Sequence, residues 1–295
     1  MPKQKKEELS SSNWIVKSNK LNEIRHTKMT LTQTRLFSIY LSKINPMDIS
    51  SREVTFKLDE YAKIMAFKRF NITKLRKTFI DLTRLVVHFI RDTNDYDEKT
   101  GLRGFEMVSS LLFKRFKLYK DDNDEWTVSI DCHDDVLYLM FELKKHFFKY
   151  KLFNALRLAS PNQQRMYELL KQYEYVGARE ISVKDLREFL GLKENEYPRW
   201  DNFRYRILET SQIALEKYTD IKFTWEVVGK RGKGGKINTL KFNIEKNDNH
   251  EQQLTLDDFM FKQLQPEIDG DIEEFEQRCN NEFDPVEMQV LHNLT

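Results

Sequence analysis

The stretch YPRWDNFRYRILETSQIALEKYTDIKFTWEVVGKRGKGGKINTLKFNI, residues 197–244, decides the fold. Its first part sets arginines and aromatics on a helical period, and DIKFTWEVV and INTLKFNI then alternate as strands do. Between the strands lies the glycine-rich, cationic tip GKRGKGGK. A helix followed by a hairpin with a basic tip is the layout of a winged helix, in which the helix enters a DNA groove and the wing grips phosphate.

At 3.6 residues per turn, Arg199, Asn202 and Arg206 form a stripe beside Tyr205, away from Phe203, Ile207, Ala214 and Tyr218. Arginine can fork onto guanine and asparagine onto adenine, while tyrosine reaches a phosphate or a thymine methyl. Arg199, Asn202, Arg204, Tyr205 and Arg206 are therefore the candidate DNA contacts; the alternative is a solvated face whose arginines pair with Glu196, Asp201 and Glu209. Trp200 reads as a core anchor. The tip adds Lys230, Arg231, Lys233 and Lys236. A nucleotide-binding loop needs GxxxxGK, then Ser or Thr, between a strand and a helix; here Ile237 follows Lys236 and strands flank the tip. A phosphate-gripping wing is the better reading.

Charge is divided along the chain. From Glu245 onward 3 Lys/Arg face 14 Asp/Glu, a net −11, which leaves +13 on the preceding 244 residues. A basic body fits an anionic partner, and an acidic tail fits a partner-binding or self-masking role. The 295 residues suffice for two domains. Cys132 and Cys279 fit no disulfide framework, the N-terminus has no apolar signal region, and runs such as LVVHFI are too short to span a membrane, so a cytoplasmic protein is expected.

The sequence also repeats itself. At an offset of 130, Gln33 matches Gln163, Arg35 matches Arg165, Leu36 matches Met166 and Phe37 matches Tyr167. Thr30 and Ser160 stand as N-caps before these helices. At an offset of 125, Leu58, Tyr61, Ile64 and Met65 match Val183, Leu186, Phe189 and Leu190. Each half then continues into a second helix: ITKLRKTFIDLTRLV, with Leu75, Phe79 and Leu82 inward, and the arginine-rich helix after a turn at Gly191. The expected fold is α+β, two tandem winged helices. The first wing is read as three strands, LVVHFIR, GFEMVSSLLFKRFKLY and WTVSI, turning at NDYDEKTG and DDNDE. HDDVLYLMFELKKHF is read as a closing helix, and YKLFNALRLAS as a strand or connector. The domain boundaries are a flexible 1–13, a first winged helix 14–150, a second 151–246 and an acidic tail 247–295. Candidate DNA contacts of the first winged helix are Lys68, Arg69, Asn71, Thr73, Lys74, Arg76 and Lys77, with a solvated basic face as the alternative.

The opening NWIVKSNKLNEIRHTKMTLTQTRLFSIYLSKI, the passage ALRLASPNQQRMYELLKQY and the block YPRWDNFRYRIL through INTLKFNI resemble the plasmid replication initiators with two tandem winged helices, the iteron-binding Rep proteins of theta-replicating plasmids such as the F type. The resemblance covers roughly Trp14–Ile244. It implies that the second winged helix supplies much of the contact with origin repeats, and that the first adds DNA contacts and dimerisation. It also implies that monomers open the origin and dimers repress their own gene at an operator. Duplex DNA and a second copy of the chain are the implied partners, with a host initiator, helicase or sliding clamp as further ones, in a bacterial cytoplasm. A transcriptional regulator without a replication role is the competing reading.

No catalytic constellation emerges, and neither a metal nor a cofactor is expected. A rolling-circle nickase needs a histidine pair on a metal and a tyrosine nucleophile, but the six histidines include no His-x-His. Cys132, His133, Asp134 and Asp135 read as a helix start, where carboxylates serve the dipole, and Asp121–Glu125 as a solvated hairpin turn. In the tail, QLTLDDF resembles the glutamine and leucine motif with which bacterial proteins bind the sliding clamp, through Gln253, Leu254, Leu256 and Phe259. The acidic tail folding back over the basic wings is a second expectation.

Overall fold

The computed structural model describes residues 9–10, 12–26, 29–65, 72–97, 102–141, 143, 146–231 and 235–248. All of them belong to one contiguous unit, Met1–Glu251. The clamp-like residues Gln253, Leu254, Leu256 and Phe259, and the rest of the acidic tail beyond Asp248, lie outside the described residues.

The chain opens with β1 (Trp14–Ser18), α1 (Asn19–Asn22), β2 (Arg25–His26) and α2 (Leu31–Lys43), and a 3-10 turn at Ile49–Arg52 leads into β3 (Glu53–Lys57), α3 (Leu58–Ile64) and α4 (Ile72–Thr83). Four strands follow, β4 (Val86–Asp97), β5 (Leu102–Leu111), β6 (Phe113–Lys120) and β7 (Trp126–Cys132). Next come a 3-10 turn at Asp134–Val136, α5 (Leu137–Met140), β8 (Phe147–Lys151), α6 (Leu152–Leu156) and α7 (Pro161–Lys171). The second half runs through β9 (Ala178–Ser182), α8 (Val183–Phe189), a helix built from α9 (Trp200–Phe203), a π segment (Arg204–Glu209) and α10 (Thr210–Tyr218), then β10 (Ile221–Arg231) and β11 (Lys236–Lys246).

The repeated positions do the same work twice. Thr30 forms a capping box with Gln33, and Ser160 accepts from the Gln163 amide with Pro161 in the first turn. Arg35 and Arg165 are both buried and both donate to carbonyls, of Leu158 at 3.3 Å and Phe189 at 3.1 Å. Offset by 125 residues, β3–α3 and β9–α8 have equal lengths, and Leu58, Tyr61, Ile64 and Met65 are buried as Leu186, Phe189 and Leu190 are. Gly191, at φ 68° after α8, makes the helix stop that a side chain would strain.

The strand topology corrects the reading of the first wing. GFEMVSSLLFKRFKLY is not one strand: it divides at the buried Leu112 into β5 and β6, which join different sheets. One sheet has the order β2-β4-β5; another has β3-β7-β6, the counterpart of β9-β11-β10 in the second half. The first wing is therefore the β6–β7 hairpin, and β4–β5 is an additional hairpin. The alternation breaks there, with Leu112 and Phe113 buried in succession and Lys114 and Arg115 exposed in succession, which is the mark of the change of sheet. The closing helix is also shorter than expected: α5 ends at Met140 and Phe141 is extended at ψ 164°. The segment then becomes β8, antiparallel to β1 with Trp14 opposite Lys151. An edge on the N-terminal strand outcompetes helix continuation.

That β1–β8 ribbon is seated on α7 by buried charge. Lys17 Nζ lies 2.7 Å from Glu168 Oε2, with the two side chains 2% and 4% exposed. Tyr150 donates to Glu168 at 2.8 Å, and Arg165 stands 3.6 Å away. Burial drives the Lys17 ammonium down to about 8, against the pull of Glu168. Burial also works to raise Glu168, but Lys17 and then Arg165 hold its carboxyl below the ordinary value. Around this centre Asn22 donates to the Glu168 carbonyl at 3.1 Å, and Gln164 to Ser38 at 2.6 Å. Beside and one turn beyond Glu168 on α7, Tyr167 and Lys171 each bind Asp220 at 2.7 Å. One helix thus ties β1, β8, α2 and the second winged helix together.

Removing one member of a buried pair leaves the other uncompensated, so Lys17→Met should cost about 3–5 kcal/mol in chemical denaturation. Adding Glu168→Gln should restore part of it. Because Glu168 is lowered in the folded state, its stabilisation is present above the unfolded carboxylate pKa and is lost as pH falls through the lowered folded value. Glu168→Gln should flatten that acid limb; an unchanged limb would contradict the assignment.

Candidate nucleic-acid interface

The reading helix of the second half is fixed from beneath and presents its polar face outward. Phe203, Ile207, Leu208, Ala214 and Leu215 are buried, as the sequence predicts for Phe203, Ile207 and Ala214, while Tyr218 is only partly buried. Trp200 packs on Phe203 and Trp225, with ring centres 6.0 and 6.2 Å away, which makes it the anchor expected. Asn202, Arg204 and Tyr205 are exposed, and Arg206 is half-buried with its guanidinium 6.0 Å from the Tyr197 ring.

Two departures from a regular helix alter the stripe. Arg199 is the extended N-cap residue at φ −82° and ψ 138°, so it precedes the helix instead of continuing its face. It is nonetheless exposed beside Pro198 at the helix entry. Within Arg204–Glu209 the backbone takes a π turn, in which the Thr210 amide reaches the Tyr205 carbonyl five residues back. The wider turn buries the neighbours Ile207 and Leu208 together and brings Arg204 Nε to 3.5 Å from Glu209, also five residues on. Arg204 is therefore partly neutralised, whereas Asn202 and Tyr205 face solvent.

The turn before this helix is built by Arg187 of α8, which sequence reasoning missed. Its guanidinium donates to the carbonyls of Tyr197 at 3.0 Å and Lys193 at 3.1 Å, and also to that of Glu196. Tyr197 sits at φ 48°, a left-handed conformation costing a non-glycine residue about 1–2 kcal/mol. An arginine at the outer end of a short helix carries no sequence signal for such a role. It becomes visible only when the carbonyls converge on it.

The wing is formed by β10 and β11, with Arg231 paired to Lys236 at its end. The ladder is irregular at Gly229, where an added Cβ would lie 2.9 Å from Thr239 Cβ and Oγ1. Glycine is what lets the two strands close there. Lys230, Arg231 and Lys236 lie on the terminal rungs; their side chains and all of Lys233 lie outside the described residues.

In the first half, α4 buries Leu75, Phe79 and Leu82 and exposes Thr73, Arg76 and Lys77. Phe79 stacks on Phe116 of β6 with ring centres 5.2 Å apart, which seats the helix on its wing. Lys74 lies in α4 with its side chain outside the described residues, as are Lys68, Arg69 and Asn71 entirely. The first wing has a tip of opposite character to the second. Its turn is Asp121–Glu125, with Asp124 at φ 59°, Lys57 bridging Asp121 and Glu125, and Lys120 on Asp124 at 2.7 Å. Lys57 outweighs burial to hold the Asp121 carboxyl down to about 2. An acidic tip repels phosphate, so the first half presents its cations on α4 and not on its wing tip.

Ser110, His133 and Asp135 meet in a way that superficially evokes a nucleophile relay. Ser110 lies 3.1 Å and Asp135 3.3 Å from the same ring nitrogen, Nδ1, and Ser110 donates directly to Asp135 at 2.8 Å. A relay needs opposite ring nitrogens. His133 is instead the N-cap of the 3-10 turn, accepting from the Asp135 amide. Among the described residues, no group of three His, Cys, Asp or Glu side chains is placed to hold a metal ion, and no helix is long and apolar enough to cross a membrane.

Residues 14–171 match the family described as initiator replication protein, WH1, and residues 182–244 the family described as initiator Rep protein, WH2. The fold is similar to the Pi initiator protein, solved in complex with iteron DNA, at a TM-score of 0.57 and 17% identity over 81% of this chain and 99% of that one. Domains 2 and 3 of RctB align at a TM-score of 0.39 and 11% identity over 83% and 94% of the two chains. No curated protein matches the sequence.

Proposed function

The chain belongs to the initiator replication protein family, and from that premise we propose that it starts plasmid replication by binding direct repeats in duplex DNA without catalysing a reaction of its own. The observation that carries the reading is the pair of helix-turn-helix units on one body, each exposing a polar helix face, with a cationic wing on the second. We assign base reading chiefly to Asn202, Tyr205 and Arg206, with Arg199 and Arg204 at the edge of the contact. Lys230, Arg231, Lys233 and Lys236 hold phosphate. Thr73, Lys74, Arg76 and Lys77, with Lys68, Arg69 and Asn71 before them, form the first module's contact. Pi being solved with iteron DNA supports repeats as the target class. The division into modules 14–150 and 151–246 followed by an acidic tail, and the bacterial cytoplasm as the site of action, belong to the same proposal.

Self-association, host-factor recruitment and autorepression complete it. The β4–β5 hairpin presents Val86, Ile90, Phe105, Met107 and Leu111 on one face, with Phe105 71% and Met107 78% exposed. Its strand β5 is a sheet edge among the described residues, the kind of surface that a second copy can cover. Dimers formed there would bind an inverted repeat and repress, while monomers bind the direct repeats. The tail supplies the clamp-like Gln253, Leu254, Leu256 and Phe259 for the host replication machinery; a host initiator and helicase are further partners.

Fluorescence anisotropy on the DNA beside the gene tests the main reading. Repeat-bearing duplex should be bound in preference to random duplex, and Asn202→Ala or Arg206→Ala should lose about 1–3 kcal/mol of that preference each. Neutralising Lys230, Arg231, Lys233 and Lys236 should lower the slope of log affinity against log salt by about 0.9 per phosphate released. A protein that prefers a lone palindrome and ignores direct repeats is a regulator instead. For self-association, Met107→Asp should move the sedimentation equilibrium towards monomer while preserving DNA binding; an unchanged equilibrium would remove β4–β5 from the interface. For the tail, alanine at Gln253, Leu254 and Leu256 should abolish capture of purified sliding clamp, and undiminished capture would eliminate the motif.

A further inference from the structure

The β1–β8 ribbon carries a cationic and aromatic patch on its outer face. Its inner face, Ile15, Lys17, Phe148 and Tyr150, is buried on α7; its outer face carries Trp14, Lys149 and Lys151. The antiparallel register puts Trp14 directly opposite Lys151, with Lys149 next along the same face. Both ammoniums converge on one indole, Lys151 at 4.1 Å and Lys149 at 5.1 Å from the ring centre. Trp14 is 48% exposed. Lys151 also donates to the Ser12 carbonyl at 2.9 Å, and neither lysine has a carboxylate partner among the described residues. On the separate β3-β7-β6 sheet, by contrast, Lys57, Lys114, Arg115 and Lys120 are each paired with carboxylates.

Two ammoniums drawn to one half-exposed ring, with no carboxylate beside them among the described residues, make a patch that attracts an anion. We propose that Trp14, Lys149 and Lys151 form a third DNA contact, gripping the phosphodiester backbone between the grooves entered by the two modules. The inference rests on the DNA-binding reading above. A duplex followed by two reading helices passes a phosphate strand between them, and the ribbon rests through Lys17 and Tyr150 on α7, the helix that also binds Asp220 of the second module. The indole restricts both lysine side chains before binding, so less rotamer freedom is lost on meeting the phosphates.

The test is the salt dependence of binding by the intact chain carrying Lys149→Gln and Lys151→Gln. The slope of log affinity against log salt should fall by about one to two, at roughly 0.9 per phosphate, while the ratio of repeat to random DNA affinity is preserved. Trp14→Ala keeps both charges and should weaken binding about two- to fivefold with the slope intact. Lys149→Gln alone changes an exposed side chain and serves if the double variant fails to fold. An unchanged slope in a folded variant overturns the contact while leaving the DNA-binding reading in place. Absence of DNA binding by the unsubstituted chain overturns both. If the slope is unchanged and a peptide of residues 247–295 loses its binding to the variant, the site belongs to the acidic tail and the proposal falls.

Discussion

The ion pair of Lys17 and Glu168 is the constraint on which the rest depends, because it stands where the N-terminal β1 meets β8 and α7 across a sequence separation of 151 residues. Two charges this far from water are stable only with near-complete coordination, and Tyr150 and Arg165 complete it. The same requirement sets the register of β1 on β8: a one-residue slip would turn Lys17 to solvent and Val16 onto the carboxylate. Because Glu168 lies on α7, and α7 also holds Asp220 beside the second module's hairpin, the register of the N-terminal strand is mechanically linked to the second winged helix. The polar groups act here as specifiers of geometry more than as sources of stability.

The two modules share a plan but not an electrostatic character. In each, a short strand and short helix precede the reading helix, and a hairpin closes a three-stranded sheet. The second wing ends in glycine and lysine; the first ends in four carboxylates whose charge Lys57 and Lys120 offset only in part. A duplicated fold with a basic and an acidic wing tip favours phosphate contact at one end only. The extra β4–β5 hairpin, absent from the second module, carries the exposed apolar face. Duplication followed by unequal surfaces accounts for one module specialised towards DNA and another that adds self-association in the proposed scheme.

Local periodicity made much of this legible. The caps at Thr30 and Ser160 and the paired hydrophobic positions of α3 and α8 follow from residues within a turn or two of each other, whereas the matched Arg35 and Arg165 gave no sign of their burial against distant carbonyls. What stayed hidden depends on distant partners or backbone detail. Nothing near Phe141 says that the helix stops there; the reason is a strand more than a hundred residues earlier. The three apolar residues Leu111, Leu112 and Phe113 break the alternation where two sheets part, but a break in period does not say which strand each side will pair with. The π turn that draws Arg204 towards Glu209 has no compositional mark, so a period of 3.6 residues per turn does not describe the face from Arg199, which precedes the helix, to Arg206, which lies in the π segment.

The central claim is that two winged helices, locked by α7, act as one body on one stretch of duplex. Hydroxyl-radical footprinting of the monomer on a single repeat tests it most directly. The account predicts two protected patches about one helical turn, roughly 10 base pairs, apart, both lost together when the protein is titrated away. A single patch from the second module alone, with the neighbouring turn fully cleaved at saturating protein, would contradict it.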